Sequence, residues 1–143
     1  MSKRRILILT IVFVLMSTLI VTGCSSERKL DIDPLLIEIG KNVYNEIEFI
    51  NMLEEEYDNF PLKDIQKILD NSDIAIDSIE EIEKRAKTED EKEFFDNLYD
   101  SYLTGLNLTN AHLEVGAVEK RKFRATIFKD EYKDLEPYHD FYN

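Results

Sequence analysis

An apolar residue recurs at every seventh position along residues 34–58, which read PLLIEIGKNVYNEIEFINMLEEEYD. Three further apolar residues fall between these positions, so a single stripe follows a helix of 3.6 residues per turn. Asp33 and Pro34 stand where an N-cap and a first helical residue are expected. The stretch therefore predicts a long helix over residues 34–58, with a buried stripe of Leu36, Ile39, Val43, Ile47, Ile50, Leu53 and Tyr57.

A second helical segment follows a proline break. Asn59-Phe60-Pro61 ends the first helix, because proline disfavours helical backbone in the residue before it and opens the next helix well. Asn71-Ser72-Asp73 is a weak point at which we expect the second helix to bend. The predicted buried face of this helix consists of Ile65, Ile68, Leu69, Ile76, Ile79, Ile82 and Ala86.

Thr88-Glu89-Asp90-Glu91 is a capping box, which predicts the start of a third helix. Beyond it, Gly116 leaves two alternatives: a fourth helix over about 118–135, or a third helix that continues through the glycine and bends there. Pro137 closes the helical part. The apolar face of the third helix is formed by Phe94, Phe95, Leu98, Tyr102 and Leu106.

No alternating strand pattern occurs after residue 24. Long helices that are joined by turns of a few residues must pack antiparallel, because such turns only allow the chain to reverse. The sequence therefore predicts an all-α fold. We expect an up-down antiparallel bundle over residues 34–143, with three long helices and a shorter or continuous C-terminal helix.

The N-terminal segment has the layout of a secretory signal. Lys3, Arg4 and Arg5 precede an apolar run over residues 6–21, which is short for a membrane span, and small residues follow it. The tetrapeptide Val21-Thr22-Gly23-Cys24 fits the lipobox at all four positions, so the segment resembles a bacterial lipoprotein signal. The later chain is similar only in layout to small Gram-positive lipoproteins that have no assigned activity.

This resemblance implies that residues 1–23 are removed and that Cys24 carries lipid. Residues 24–33 would form a tether, and the domain would be held at the extracytoplasmic face of the cell membrane through the lipid on Cys24. The alternative is an uncleaved transmembrane anchor, which keeps the protein on the same side of the membrane.

The net charge and the cysteine content exclude nucleic acid as a partner and internal disulfides as a source of stability. Without residues 1–23 the chain has 15 Lys and Arg against 30 Asp and Glu, a formal charge of −15. Such a surface repels nucleic acid, whose phosphates require basic contacts. Cys24 is the only cysteine, so the chain forms no internal disulfide and depends on its core for stability.

Catalytic and metal-binding patterns are weak. His112 and His139 are the only histidines, and neither belongs to a zinc motif. The residues 136–139 match Glu-x-x-His once, but Pro137 interrupts the helical turn that such a pair needs. No Gly-rich phosphate loop and no strained serine turn occur. We therefore expect a non-enzymatic binding or accessory module without a cofactor or metal. The alternative is an envelope enzyme or metal-binding protein whose site assembles only in three dimensions.

Two surface features are candidates for partner binding. Lys120, Arg121, Lys122 and Arg124 form the densest basic cluster of an acidic chain. We expect this cluster to neutralise the acidic faces of the first two helices, and the alternative is a docking patch for an anionic partner. The aromatic tail over residues 138–142 either folds back over the core or anchors a partner such as an envelope protein.

Overall fold

A computed structural model describes residues 29–143 of the chain. It contains four helices, α1 (Pro34–Glu56), α2 (Leu62–Arg85), α3 (Glu89–Ala111) and α4 (Val118–Lys133), and then a short 3-10 helix (Glu136–Phe141). No strand occurs in residues 29–143, and the prediction of an all-α helical bundle is confirmed. The signal segment and Cys24 lie outside the described residues.

The starts of α1 and α3 follow the capping rules seen in the sequence. The Asp33 carboxylate accepts a hydrogen bond from the Leu35 backbone N–H at 2.8 Å. At α3, the Thr88 hydroxyl accepts from the Glu91 N–H at 3.1 Å, and the Glu91 carboxylate accepts from the Thr88 N–H at 3.0 Å. The capping box is therefore complete, and an N-cap of this kind stabilises a helix by about 1 kcal/mol.

The structure shows the course of the helices at residues 71–73 and at Gly116, the two points that the sequence left open. The α2 helix is continuous through residues 71–73, so the expected weak point does not interrupt it. At the other point the chain breaks, since α3 ends at Ala111 and α4 begins at Val118. Gly116 has φ of 76°, a left-handed conformation that glycine adopts without a Cβ clash. The fourth helix is thus a separate element.

The core lies where α1, α2 and α3 pack on one another, and α4 packs mainly against α3. Short connections make consecutive helices antiparallel. They also bring Phe60, between α1 and α2, onto His112 at the end of α3, with ring centroids 3.8 Å apart. A Cβ at position 105 would lie 3.0 Å from Ile50 Cδ1 and 3.2 Å from Phe128 Cε2. Gly105 therefore lets α1 and α4 approach α3 closely.

Two residues of the predicted apolar stripes, Tyr57 and Ile76, are exposed instead, and so is Phe123 of the fourth helix. Tyr57 is 42% exposed because α1 ends at Glu56 and the tyrosine follows in extended backbone. Ile76 is 42% exposed at the outer edge of α2, and Phe123 is 62% exposed on the outer side of α4. The rest of the α1 stripe is confirmed as core or partly buried, and its fully buried members include Leu36, Val43, Ile47, Ile50 and Leu53.

The residues just before α1 and the C-terminal tail both pack against the bundle. The Asp31 N–H donates to the Asp90 carboxylate at 2.8 Å, and the Asp33 N–H donates to Glu91 at 3.1 Å. The compact unit thus spans Asp31–Asn143 and begins three residues before the predicted boundary at Pro34. The aromatic tail folds back, since Tyr142 stacks on Tyr44 with centroids 4.3 Å apart.

Within residues 29–143, none of the helices combines the length and the hydropathy that a membrane span requires.

Candidate binding groove

Helix α3 carries two apolar stripes rather than one. The inner stripe faces the core and includes Phe94, Leu98 and Tyr102, which are at most 2% exposed. The outer stripe is displaced by one residue, which is about 100° around a helix. It consists of Phe95, Tyr99, Leu103 and Leu106, and with α2 it lines a groove on the outside of the bundle.

The groove between α2 and α3 is the largest cavity described, with a volume of about 650 Å³. Such a volume is typical of binding sites in proteins. Ile76 and Ile79 form its α2 wall, and the Tyr102 ring forms part of its floor. Below the floor, the Tyr102 hydroxyl donates a 2.9 Å hydrogen bond to Glu46 on α1. This bond anchors the floor to the core.

Large apolar side chains remain accessible in the groove. Tyr99 is 45% exposed, Leu103 is 42% exposed, and Ile76 is 42% exposed. Phe95 stacks on Tyr99 with ring centroids 5.9 Å apart, so the two rings form one aromatic surface. Contiguous exposed apolar residues rimmed by polar ones mark interaction sites more often than single exposed residues do.

The rim of the groove is acidic on both walls. Glu80 and Glu83 are on α2, and Asp96 and Asp100 are on α3. Glu80 lies 3.7 Å from Lys84, and this pair is exposed and correspondingly weak. The other three carboxylates form no ion pair within residues 29–143. The rim therefore gives the groove a negative potential.

The negative potential extends from the groove toward α4. The pKa of Glu131 is raised, first by burial and then by the charges of Asp100, Asp134 and Asp130. Ser101 donates a 3.0 Å hydrogen bond to the Glu131 carbonyl, which fixes α4 against α3 beside Asp100. The α4 side of α3 therefore adds negative charge near the groove without covering it.

No protein family, characterised protein or solved structure matches the chain.

The four residues of the basic cluster are divided between two sides of α4. Lys120 and Lys122 are exposed, and they pair with Glu114 and with Glu119, the latter at 3.2 Å. Lys120, Arg121 and Arg124 fall within about 100° of one another around α4, whereas Lys122 lies about 160° from Lys120 and from Arg124. Arg121 and Arg124 are partly buried. The ion pairs of Lys120 and Lys122 are therefore local to the start of α4. The ion pair that joins α4 to α1 is that of Lys129 with Glu54, at 3.4 Å.

The two histidines lie apart, at different ends of the bundle. His112 Nδ1 accepts a 3.1 Å hydrogen bond from the Phe60 N–H, which places its own proton on Nε2. Burial, with a smaller contribution from Arg121, lowers the pKa of His112 to about 4. His139 packs edge-on against Tyr44, with ring centroids 5.7 Å apart. Residues 29–143 contain no group of three His, Cys, Asp or Glu side chains placed to hold a metal ion.

Two smaller clefts lie between α1 and α2, with volumes of about 230 and 140 Å³. Both are lined by Asn45, Glu46 and Asn71. Burial raises the pKa of Glu46, while hydrogen bonds from Tyr102 and Asn71 and the charge of Lys67 lower it. Glu46 thus serves the packing of α1 on α2 and α3, and these clefts are smaller than the groove.

Proposed function

We propose that the protein is a lipid-anchored binding module at the extracytoplasmic face of the membrane, and that it holds a partner in the α2–α3 groove. The observation that carries the proposal is the outer stripe of α3, which keeps Tyr99 and Leu103 accessible beside a closed core. Tyrosine is enriched among the residues that contribute most to partner binding when a partner covers them.

The lipobox supports the location in this proposal. Asp31, where the compact unit begins, is seven positions after Cys24. An extended chain of this length spans at most about 25 Å. A lipid on Cys24 would therefore keep the domain close to the membrane and its partners concentrated near the same surface.

The anchor is tested by replacing Cys24 with Ala in the full chain. We expect loss of fatty-acid labelling and accumulation of the unprocessed form, because the thiol is the site of lipid attachment. Mass spectrometry of the N-terminal peptide gives an independent measurement. Lipid labelling that persists after Cys24→Ala would refute the anchor while leaving the groove untouched.

The groove is tested by placing a photo-crosslinking amino acid at position 103 of the full chain in intact cells. Position 52 on α1 is the matched control, since Met52 is 40% exposed and Leu103 is 42% exposed. We expect a discrete covalent adduct from position 103 and none from position 52. Equal adducts from both positions, or none from position 103, would contradict a groove-bound partner.

A further inference from the structure

The lining of the groove restricts the backbone conformation of its occupant. Its walls are apolar side chains carried by two helices, and residues 29–143 contain no strand edge to which an extended peptide could add. A peptide backbone buried there must satisfy its own N–H and C=O groups. An α-helix does so internally, and helix-in-groove binding is a common mode of peptide recognition.

The length of the groove sets the length of this helix. Along α3 the lining extends from Phe95 to Leu106, which is about 16 Å at 1.5 Å per residue. Along α2 it extends from Ile76 to Glu83, about 10 Å. An occupant of about eleven residues, or three turns, would cover Phe95, Tyr99 and Leu103 with apolar residues spaced i, i+4 and i+7.

The rim sets the charge of the occupant. The two carboxylates on each wall are about one helical turn apart, because Glu83 is three positions after Glu80 and Asp100 is four positions after Asp96. A helix lying between the walls would meet negative charge on both flanks. Lys or Arg residues spaced by one turn on those flanks complement this arrangement.

We infer that the α2–α3 groove binds a cationic amphipathic helix of about three turns, presented by a protein or peptide partner. This inference rests on the proposed function and names the partner class of the same groove. The apolar stripe of the partner would cover the Phe95–Tyr99 surface and Leu103. Its Lys and Arg side chains would pair with Glu83, Asp96 and Asp100.

The experiment uses the full chain in nanodiscs of zwitterionic lipid and a fluorescein-labelled peptide of twelve residues. The peptide is built from Leu and Lys so that the leucines form one helical face. Fluorescence anisotropy measures binding, with empty nanodiscs as the blank. We expect saturable binding that weakens as salt is raised, because exposed charge pairs are screened.

Variants separate the apolar and the charged parts of the inference. Leu103→Ala with Tyr99→Ala should weaken binding about tenfold or more, which corresponds to about 1.4 kcal/mol or more. The rim variant Glu83→Gln, Asp96→Asn, Asp100→Asn should weaken binding and flatten its salt dependence. A control of equal charge, Glu56→Gln, Asp58→Asn, Asp140→Asn, removes exposed carboxylates outside the groove and should leave binding within about twofold.

Five outcomes would overturn the inference. Equal binding of a peptide with Glu in place of Lys would show that the occupant need not be cationic. Equal effects of the rim and control variants would show that the peptide does not bind at the groove. Tighter binding of a small cationic amphiphile such as dodecyltrimethylammonium would indicate a small-molecule site. Absence of peptide binding, with the position-103 adduct retained in cells, would reject the cationic helix but keep the proposed function. Loss of both would reject the proposed function as well.

Discussion

The two faces of α3 carry the same kinds of side chain and have opposite environments. Each face has a phenylalanine, a tyrosine and a leucine, and the matched pairs are Phe94 and Phe95, Tyr102 and Tyr99, and Leu98 and Leu103. The inner members are at most 2% exposed, while Tyr99 and Leu103 are more than 40% exposed. Apolar character on a helix therefore does not by itself determine burial.

The difference arises from the number of neighbouring helices. The inner face of α3 contacts α1, and α4 closes a further side through Phe128 and Gly105. The outer face has only the edge of α2 beside it, so Ile76 and the outer stripe form a groove. A bundle with one more helix would bury this stripe. In this bundle the stripe remains available to a partner.

The largest expected difference between the faces is at the phenylalanine pair. Phe94 is fully buried and packs edge-on against Tyr138 at 5.1 Å, so Phe94→Ala should lower the free energy of unfolding by ~3–5 kcal/mol. Phe95→Ala should cost about 1 kcal/mol, because its ring is only partly covered. Urea denaturation followed by circular dichroism measures both variants. Similar losses at the two positions would show that the outer face is also part of the core.

Local elements of the fold could be predicted from the sequence because local rules determine them. Asp33 with Pro34 begins α1, and the capping box at Thr88 and Glu91 begins α3, since each depends on residues within one helical turn. Exposure at the ends and edges of helices could not be predicted in the same way. Tyr57 continues the seven-residue spacing of α1 but lies beyond its last turn.

The candidate site was only partly visible in the sequence. The sequence interpretation places Phe95 on the same face as Phe94, although the spacing of Phe95, Tyr99 and Leu103 by four residues marks a second stripe. Which stripe is covered depends on the positions of α2 and α4, and no local pattern contains that information. In the basic cluster, helical periodicity places Lys120 beside Arg124 and separates Lys122 from both.

A smaller difference is expected at the tyrosine pair. Tyr102→Phe removes the hydroxyl that donates to Glu46 and leaves a half-buried carboxylate with one partner fewer. Such a change should cost ~1–3 kcal/mol, the range for losing a hydrogen bond to a charged group. Tyr99→Phe on the outer face should change stability by less than about 0.5 kcal/mol. Thermal unfolding of the two variants checks the contrast, and a costly Tyr99→Phe would reveal a hydroxyl contact that the folded domain needs.

The smallest expected effect concerns the carboxylate below the inner face. Burial raises the pKa of Glu46 more than its hydrogen bonds from Tyr102 and Asn71 lower it. A raised pKa means that ionisation is less favourable in the folded chain than in the unfolded chain. The stability that Glu46 contributes is therefore present below its ordinary pKa and is lost as pH rises through the folded value.

Glu46→Gln keeps the hydrogen-bond acceptor and removes the charge. The variant should therefore become more stable relative to the wild type as pH rises from 4 to 7. Urea midpoints across this range measure the gain, and Glu56→Gln on the exposed end of α1 controls for the loss of one negative charge. A variant that loses stability relative to the wild type as pH rises would mean that the hydrogen bonds, and not burial, dominate beneath the inner face.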